Sequence, residues 1–294
     1  MDQNDAVRSV WAFVRLSRPH FLVGGFLMFA VGAAATRRLD LFGYAIGQVV
    51  VTAGQVTAHY VNEFADVEPD KGVVHRTFFS GGSGVLTGGL LPVSVAIRAA
   101  LVSTAIAVAA AGVLAGRSVP AALLGLVAVG ISWSYSMPPL RLLDTGWGEG
   151  AASLVVAAIV PLIGGFAQGA VPAAPLWWSV AILLPIHLAM MLAFELPDLE
   201  TDRAAGKRVL AVRVGRRSTA GLITLLLVGA SVVAALAGFG NGLPTVAMWG
   251  TAAGIPPALV MLMAIRRRQN GLLTVSAVAT LVFVGVGLLV GLTR

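Results

Sequence analysis

The chain has 294 residues, of which 57% are hydrophobic and only 11% are charged, whereas about a quarter of a soluble domain is charged. This composition excludes an ordinary water-soluble domain, and the absence of cysteine excludes a disulfide framework and thiol chemistry. The net charge of +7 is typical of a membrane protein with basic loops, so we expect no nucleic-acid partner.

Nine apolar runs are long enough to cross a lipid bilayer, whose hydrocarbon core of roughly 30 Å needs about 20 residues of helix. They lie near residues 20–36, 42–61, 92–115, 119–135, 149–168, 175–194, 218–238, 243–265 and 271–292. The sequence therefore predicts an all-α integral membrane protein with nine transmembrane helices, formed by a single domain over residues 1–294.

Loop charges predict the orientation of these helices. With the N-terminus in the cytoplasm, 16 of the 20 basic residues lie in cytoplasmic loops, and the other side carries only Arg37, Arg38, Arg117 and Arg294. Because cytoplasmic loops are enriched in Lys and Arg, we predict a multi-pass protein of the plasma membrane with a cytoplasmic N-terminus. Twelve of the 13 acidic residues fall on the same side. The topology rule does not explain this bias, which indicates a chemical role.

An acidic motif occurs twice in the sequence. The stretch EFADVEPDK at 63–71 has the same spacing as ELPDLETDR at 195–203, namely E-x-x-D-x-E-x-D-[KR]. Four predicted helices separate the two, so both reach the same membrane face. Pro69 and Pro197 interrupt helical hydrogen bonding, so each motif is expected to straddle a helix end. The repetition predicts two related halves, about 1–145 and 146–294, around a shared site.

Gathered carboxylates are unfavourable unless a cation neutralises them. Mg²⁺ takes oxygen ligands and is commonly shared between carboxylates and substrate phosphates. A single acidic loop is more often an ordinary solvated loop. Two copies with one spacing, in a chain this poor in charge, favour a Mg²⁺ and diphosphate site. Nearby Lys and Arg side chains suit phosphate oxygens, and Arg offers bidentate geometry.

Three motifs, at 62–70, 135–144 and 198–208, resemble those of a known protein family. The first, N-D-x-x-D-x-x-x-D, stands at 62–70 with Glu63 in place of the usual Asp. The second, D-x-x-x-D, stands at 198–202 and is followed by Gly-Lys-Arg at 206–208. Between them, YSMPPLRLLD at 135–144 matches a Tyr-containing loop, although Leu143 stands where a Lys is common. The chain thus resembles the UbiA superfamily of intramembrane prenyltransferases over nearly its whole length.

The resemblance implies a U-shaped bundle of nine helices around a central cavity, closed by cytoplasmic cap loops. It implies Mg²⁺ as cofactor, with prenyl diphosphate and a small aromatic acceptor as substrates within the lipid bilayer. The residues that it assigns to catalysis are Asp66, Asp198 and Tyr135. The expected metal ligands are Asn62, Glu63, Asp66, Asp70, Glu195, Asp198 and Asp202. The expected diphosphate-binding residues are Lys71, Arg76, Arg141, Lys207 and Arg208.

The loop after the first motif indicates the acceptor. Its run GGSGVLTGGLLP, within 79–92, resembles the branch that prenylates 1,4-dihydroxy-2-naphthoate for menaquinone. Homogentisate, hydroxybenzoate, a glycerol-phosphate lipid and a chlorophyllide stay open as acceptors. The expected reaction is transfer of a polyprenyl group from its diphosphate to a quinone precursor.

Two other classes of function compete with this prediction. One is a UbiA-type terpene cyclase, in which the prenyl cation attacks its own chain without an acceptor. The other is a secondary transporter, although transporters place ionisable groups near the bilayer midplane rather than at helix ends.

Several further residues have structural interpretations. The G-x-x-x-G pairs Gly43/Gly47 and Gly250/Gly254 predict close helix packing. His59 and His187 are either site residues or hydrogen-bonded packing residues.

Overall fold

The computed structural model describes residues 3–71, 82–169, 173–204 and 206–294. Every regular element in these ranges is helical. The α-helices are α1 Gln3–Leu16, α2 Leu22–Ala34, α3 Leu41–Ala65, α4 Val67–Asp70, α5 Val93–Ala115, α6 Val119–Ser136, α7 Gly148–Leu154, α8 Val160–Ala167, α9 Ala174–Glu195, α10 Leu199–Ala204, α11 Leu210–Val214, α12 Arg216–Phe239, α13 Thr245–Thr251, α14 Ile255–Arg267 and α15 Asn270–Leu292. Short 3₁₀ segments lie at Pro19–Phe21, Leu142–Asp144 and Ala252–Gly254, and a π-helical turn lies at Val155–Ile159.

Within the described ranges, eight helical stretches are long and apolar enough to cross a membrane. Six of them are single helices, namely α3, α5, α6, α9, α12 and α15. The other two are the joined pairs α7–α8 and α13–α14. The prediction of an all-α protein built from apolar, membrane-spanning helices is confirmed. The nine-helix count, the U-shaped arrangement around a cavity and the cytoplasmic position of the caps stay predictions.

The first predicted span, 20–36, differs from the structure. Helix α2 has 13 residues, which is about 20 Å at 1.5 Å per residue and short of a bilayer core. It forms a bent pair with the preceding helix, in which Val7–Leu16 and Pro19–Ala34 meet at 41°. The bend lies at Arg18, whose φ is 51°, and at Pro19, which cannot donate a helical hydrogen bond. A ninth span exists only if this bent pair counts as one.

Prolines also explain the interruptions inside two spans. The π-helical turn Val155–Ile159 ends two residues before Pro161. The 3₁₀ segment Ala252–Gly254 ends two residues before Pro256, which Pro257 follows. Since proline lacks the backbone N–H that an α-helix requires, the preceding turn changes its hydrogen-bond pattern.

Glycine allows the closest helix contacts. A Cβ built on Gly43 would collide with the carbonyl of Ala167, and one built on Gly47 would lie 2.9 Å from the Phe29 ring. A Cβ built on Gly250 would likewise collide with the backbone of Gly287. The prediction that both G-x-x-x-G pairs serve close packing is confirmed.

The two helices that carry the acidic motifs have different neighbours. Helix α3 packs mainly against α5 and α6, whereas α9 packs mainly against α12 and α15. The main buried apolar cluster spans both sets of helices, with Phe29, Ile163 and Leu183 among its fully buried members. The two motif-bearing helices therefore pack against one shared core. The acidic motifs lie at their C-terminal ends.

Candidate active site

Each acidic motif lies where a long helix ends. Helix α3 ends at Ala65 and Asp66 caps it, so the remaining acids of the first motif fall on the short helix α4. Helix α9 ends at Glu195, Asp198 lies in the turn that follows, and the remaining residues of the second motif fall on α10. Pro197 lies in the turn between α9 and α10, where it cannot donate to a helical hydrogen bond. The prediction that both motifs straddle helix ends is confirmed.

The first carboxylate of each motif binds the backbone of a later segment. Glu63 is buried, and it accepts hydrogen bonds from both the N–H and the Oγ–H of Ser83, each at 2.6 Å. Glu195 accepts the backbone N–H of Ala211 at 3.1 Å. Both were predicted as metal ligands, and this role stays a prediction. The contacts observed for them are with the segments that follow the motifs.

Gly82 shows how tightly the segment before Ser83 meets the first motif. Its φ of 71° lies in the left-handed region, and an added Cβ would collide with the carboxylate of Asp70. Glycine meets both requirements because it has no Cβ.

The third acid and the final base of each motif pair with each other on the surface. Lys71 contacts Glu68 at 2.6 Å and Arg203 contacts Glu200 at 3.0 Å, and all four side chains are at least half exposed. Exposed pairs of this kind contribute little to stability, about 0–1 kcal/mol. The structure thus places Lys71, a predicted diphosphate ligand, in an exposed pair and not among the buried carboxylates.

Asp66 joins the first motif to the Tyr-containing loop. Its Oδ2 accepts a hydrogen bond from Asn62 Nδ2 at 2.7 Å, and its Oδ1 is 3.4 Å from an Nη of Arg141. Arg141 also donates through Nε to Asp144. The predicted residues Asn62, Asp66 and Arg141 therefore lie together, and the structure adds Asp144 to them.

The segment that contains Lys207 joins the second motif to the Tyr-containing loop. Lys207 Nζ is 2.9 Å from Asp202 Oδ1, and the Lys207 backbone N–H donates to the Asp202 carbonyl. The next backbone N–H, of Arg208, donates to the carbonyl of Asp144 at 3.0 Å, while the Arg208 side chain is exposed. The Gly-Lys-Arg segment is thus folded onto both the second motif and the Tyr-containing loop.

The two motifs are close enough to act on each other electrostatically. Burial raises the pKa of Asp66 to about 6, the charge of Asp70 adds to the rise, and Arg141 and Lys207 oppose it. Burial and the charge of Asp202 raise the pKa of Asp198, with Lys207 opposing and Asp70 adding to the rise. Ionisation of these two carboxyl groups is therefore less favourable in the fold than in water.

Lys207 remains a cation in this environment. Burial alone would lower the pKa of its ammonium group, but the hydrogen bond and charge of Asp202, with the charges of Asp66 and Asp144, outweigh burial and raise it. Lys207 is thus a charged group between the two motifs, as a diphosphate ligand must be.

Tyr135 occupies the last turn of α6 and is half-buried. The charges of Glu149, Glu195 and Asp66 act on its phenol. This places the third predicted catalytic residue in the same electrostatic environment as the motifs. Its catalytic role stays a prediction.

The sequence reasoning missed Glu149 as a site residue. It is 3% exposed, and its Oε1 accepts the backbone N–H of Leu210 at 2.7 Å, beside the Ala211 amide that Glu195 holds. The sequence signal for Glu149 was its position at the start of an apolar span, because an acidic residue there costs free energy and is often functional.

Arg18 was also missed. Its guanidinium lies 4.9 Å from the Phe21 ring centroid, and the charges of Glu63, Asp70 and Asp66 act on it. Its signal was an Arg-Pro pair directly before the first apolar span. Arg76, by contrast, was predicted for diphosphate binding and lies outside the described residues.

His59 and His187 are both hydrogen-bonded. His59 Nδ1 is 2.7 Å from the carbonyl of Ser17, and His187 Nδ1 is 3.0 Å from Ser153 Oγ. These contacts match the packing interpretation of the two histidines.

The described residues contain no group of three or more His, Asp or Glu side chains already spaced to hold a metal ion. The site carboxylates instead accept hydrogen bonds from Asn62, Ser83, Arg141 and Lys207. The carboxylate oxygens still fit Mg²⁺ as ligand atoms, since nearby cations only partly offset the effect of burial on Asp66 and Asp198.

Comparison with known proteins identifies the family. The sequence model of the UbiA prenyltransferase family matches residues 22–284. The chain belongs to the UbiA prenyltransferase family. It is therefore an enzyme that transfers prenyl groups, and the earlier resemblance is confirmed.

Two kinds of relative accompany this UbiA-family match. A 1,4-dihydroxy-2-naphthoate octaprenyltransferase of Bacillus subtilis (strain 168) is 26% identical over 219 residues, which cover 72% of this chain and 68% of the relative. A UbiA homolog from Archaeoglobus fulgidus, solved with GPP and Mg²⁺, has a TM-score of 0.71 at 19% identity and covers 94% of this chain and 98% of its own. A homolog from Aeropyrum pernix K1 has a TM-score of 0.69 at 17% identity, with 92% and 95% covered.

The raised pKa of Asp66 predicts that the metal-free enzyme becomes less stable as the pH rises. A carboxyl group whose pKa is higher in the folded than in the unfolded state lowers the free energy of unfolding once the pH exceeds its pKa in the unfolded state. The full loss of stability is present above the folded pKa of about 6. With divalent cations chelated, Asp66→Asn should therefore unfold at a higher temperature than wild type at pH 8. The two proteins should unfold at the same temperature near pH 4. Thermal unfolding in detergent measures this.

The matched control for Asp66 is Glu200→Gln, which removes an exposed carboxylate of the second motif. It should unfold like wild type at both pH values. A difference between Asp66→Asn and wild type that is equal at pH 4 and pH 8 would contradict the electrostatic explanation.

Proposed function

We propose that this enzyme transfers a polyprenyl group from a prenyl diphosphate to an aromatic quinone precursor such as 1,4-dihydroxy-2-naphthoate, in a Mg²⁺-dependent reaction. The observation that carries the proposal is the junction of the two acidic motifs. Asp66, Asp202 and Asp198 lie there with Lys207 and Arg141, at the ends of apolar helices. An amphipathic donor with an apolar tail and an anionic head matches this arrangement.

The donor class is supported by the structural relatives. Homologs from Archaeoglobus fulgidus were solved with GPP or DMAPP and Mg²⁺. In this chain the residues that would hold Mg²⁺ are Asn62, Asp66, Asp70, Asp198 and Asp202, with Glu63 and Glu195 as further predicted ligands. Bound Mg²⁺ would neutralise the diphosphate and improve it as a leaving group.

The basic residues of this chain have a different task from the carboxylates. Lys207 and Arg141 now neutralise Asp202, Asp66 and Asp144. With those carboxylates engaged by bound Mg²⁺, Lys207 and Arg141 would be available to donate charge-assisted hydrogen bonds to phosphate oxygens. Arg208, Lys71 and Arg76 are the further residues that we propose for the diphosphate.

The reaction places a second demand on the site. Cleavage of the prenyl C–O bond releases diphosphate and leaves an allylic cation, which an electron-rich ring carbon of the acceptor captures with loss of a proton. Water would quench that cation, so it must be excluded. The residues Ser83 and Ala211, which Glu63 and Glu195 hold by hydrogen bonds, contact the helix ends that carry the motifs, and we assign their segments the role of covers.

The acceptor assignment rests on the Bacillus relative and on the loop sequence at 79–92. The test is a mass-spectrometric product assay on the purified enzyme in nanodiscs with one prenyl diphosphate. Separate reactions contain 1,4-dihydroxy-2-naphthoate, 4-hydroxybenzoate, homogentisate or no acceptor. We expect a prenylated naphthoate, formed only with Mg²⁺ and reduced by orders of magnitude in Asp198→Ala.

Two outcomes would contradict this proposal. A cyclic hydrocarbon formed without any acceptor would identify a terpene cyclase. Prenylation of hydroxybenzoate or homogentisate in preference to the naphthoate would overturn the acceptor while leaving prenyl transfer intact.

The division of labour between carboxylates and cations predicts two kinds of defect. Asp202→Ala weakens a metal site, so excess Mg²⁺ should restore part of the rate. Lys207→Ala removes a charge-assisted contact of roughly 1.5–3 kcal/mol, or about ten- to a hundredfold in rate or affinity, and Mg²⁺ should not restore it. Initial rates against prenyl diphosphate at several Mg²⁺ concentrations distinguish the two variants.

Arg203→Ala is the matched control, because Arg203 is an exposed cation near Lys207 whose ion pair among the described residues is with surface Glu200. It should behave like wild type. Mg²⁺ rescue of Lys207→Ala, or a defect in Arg203→Ala as large as that in Lys207→Ala, would show that the diphosphate contacts are wrongly assigned.

We further propose that the enzyme lies in the plasma membrane with the acidic motifs on the cytoplasmic side, as the loop charges favour. The chain has no cysteine, so single introduced cysteines test this directly. Ala204→Cys should react with an impermeant thiol reagent only from the cytoplasmic face, and Thr245→Cys only from outside. The reverse labelling pattern would reject the orientation.

A further inference from the structure

A second polar site lies at the end of the bundle away from the acidic motifs. There a cavity of about 490 Å³ opens between the end of α2, the segment that follows it, the start of α3 and the end of α15. Helix α3 has 25 residues, which is about 37 Å at 1.5 Å per residue. The cavity, at the start of α3, is therefore a full membrane span from Glu63.

Three arginines line this cavity, namely Arg37, Arg38 and Arg294. Under the predicted orientation only four basic residues of the chain lie on this side, and the fourth is Arg117. Arg117 is already neutralised, because it forms an ion pair with Asp40 and lies 5.2 Å from the Phe42 ring centroid.

Asp40 is the only acidic residue of the sequence on this side. Its carboxylate binds Arg117 and also accepts the backbone N–H groups that begin α3. None of the three cavity arginines forms a salt bridge with an acidic side chain in the part of the chain that the structure describes. Three arginines thus line one cavity, and none of them is paired with an acidic side chain of the described residues.

Most of the remaining cavity wall is apolar. Ala33 and Leu292, which line it, are almost fully buried, and Tyr44 lies beside them with its ring edge-to-face against Phe29 at 5.0 Å. An arginine rim above an apolar wall, inside a membrane protein, matches a ligand with an anionic head and an apolar tail. The volume lies within the roughly 300–1,000 Å³ of ordinary ligand sites.

We propose that this cavity binds the phosphate headgroup of an anionic phospholipid from the adjoining membrane leaflet. Arginine suits this ligand because its planar guanidinium donates two parallel hydrogen bonds to phosphate oxygens. Basic pockets between transmembrane helices bind anionic headgroups on the cytoplasmic side of other membrane proteins, and the same charge pairing applies in either leaflet. A soluble phosphate offers the same head, but it has no tail for the apolar wall.

The experiment is native mass spectrometry of the full chain released from detergent with added lipid. Phosphatidylglycerol is compared with phosphatidylcholine on wild type and on the double variant Arg37→Gln/Arg38→Gln. We expect wild type to retain one phosphatidylglycerol in preference to phosphatidylcholine. The double variant should bind phosphatidylglycerol about tenfold more weakly, or worse.

The matched control is Arg266→Gln/Arg267→Gln, which removes two exposed arginines at the other end of the bundle. It should retain the lipid like wild type. Equal loss in both double variants would show non-specific attraction to basic surface and would overturn the proposal, as would equal binding of the two lipids by wild type.

Two further measurements keep the inference testable. Thermal unfolding of wild type should shift upward with phosphatidylglycerol but not with inorganic phosphate at the same concentration. An equal shift with inorganic phosphate would reassign the site to a soluble anion and overturn the lipid. Should the double variant fail to fold, Arg294→Gln repeats the binding comparison. Prenyl transfer by the variants reports that their distant active site is intact, since none of these arginines belongs to it.

Discussion

Like-charged carboxylates buried at the ends of oily helices are the constraint on which the site depends. Water cannot fully solvate them there, so each must find a hydrogen-bond donor or a cation within the fold. Asp66 takes Asn62 and Arg141, and Asp202 takes Lys207. These contacts draw four separate segments of the chain together at one end of the bundle. The raised pKa of Asp66 shows that the compensation is incomplete, and an incompletely compensated set of oxygens is what a divalent cation would stabilise.

The two copies of the motif divide their residues in the same way. The first acid of each copy holds a later backbone segment, at Ser83 and Ala211, and the third acid pairs with the final base on the surface. The second and fourth acids are left for the shared site. A repeat of spacing is therefore also a repeat of contacts, which supports the proposed pairing of the two halves around one diphosphate.

The two proposed binding sites use different side chains. Buried carboxylates cluster at the site that we assign to catalysis, and three arginines line the cavity at the other end of the bundle. Both ends lie beside apolar walls, so both suit amphipathic ligands. A prenyl diphosphate brought in with Mg²⁺ would need carboxylates, whereas a phospholipid headgroup without a metal would need cations.

The sequence by itself determined the membrane class, most of the spans and the place of each motif at a helix end. Apolar length, proline position and motif spacing are local properties, and they carry over into the fold directly. Only the tertiary structure decided that Glu63 meets Ser83, that Glu149 and Arg18 join the site, and that Lys71 lies at the surface in a pair with Glu68. It also decided that the first span is a bent pair. These outcomes depend on which helices pack together and which polar groups are buried as a result, and spacing along one chain does not encode the distance between side chains on different helices.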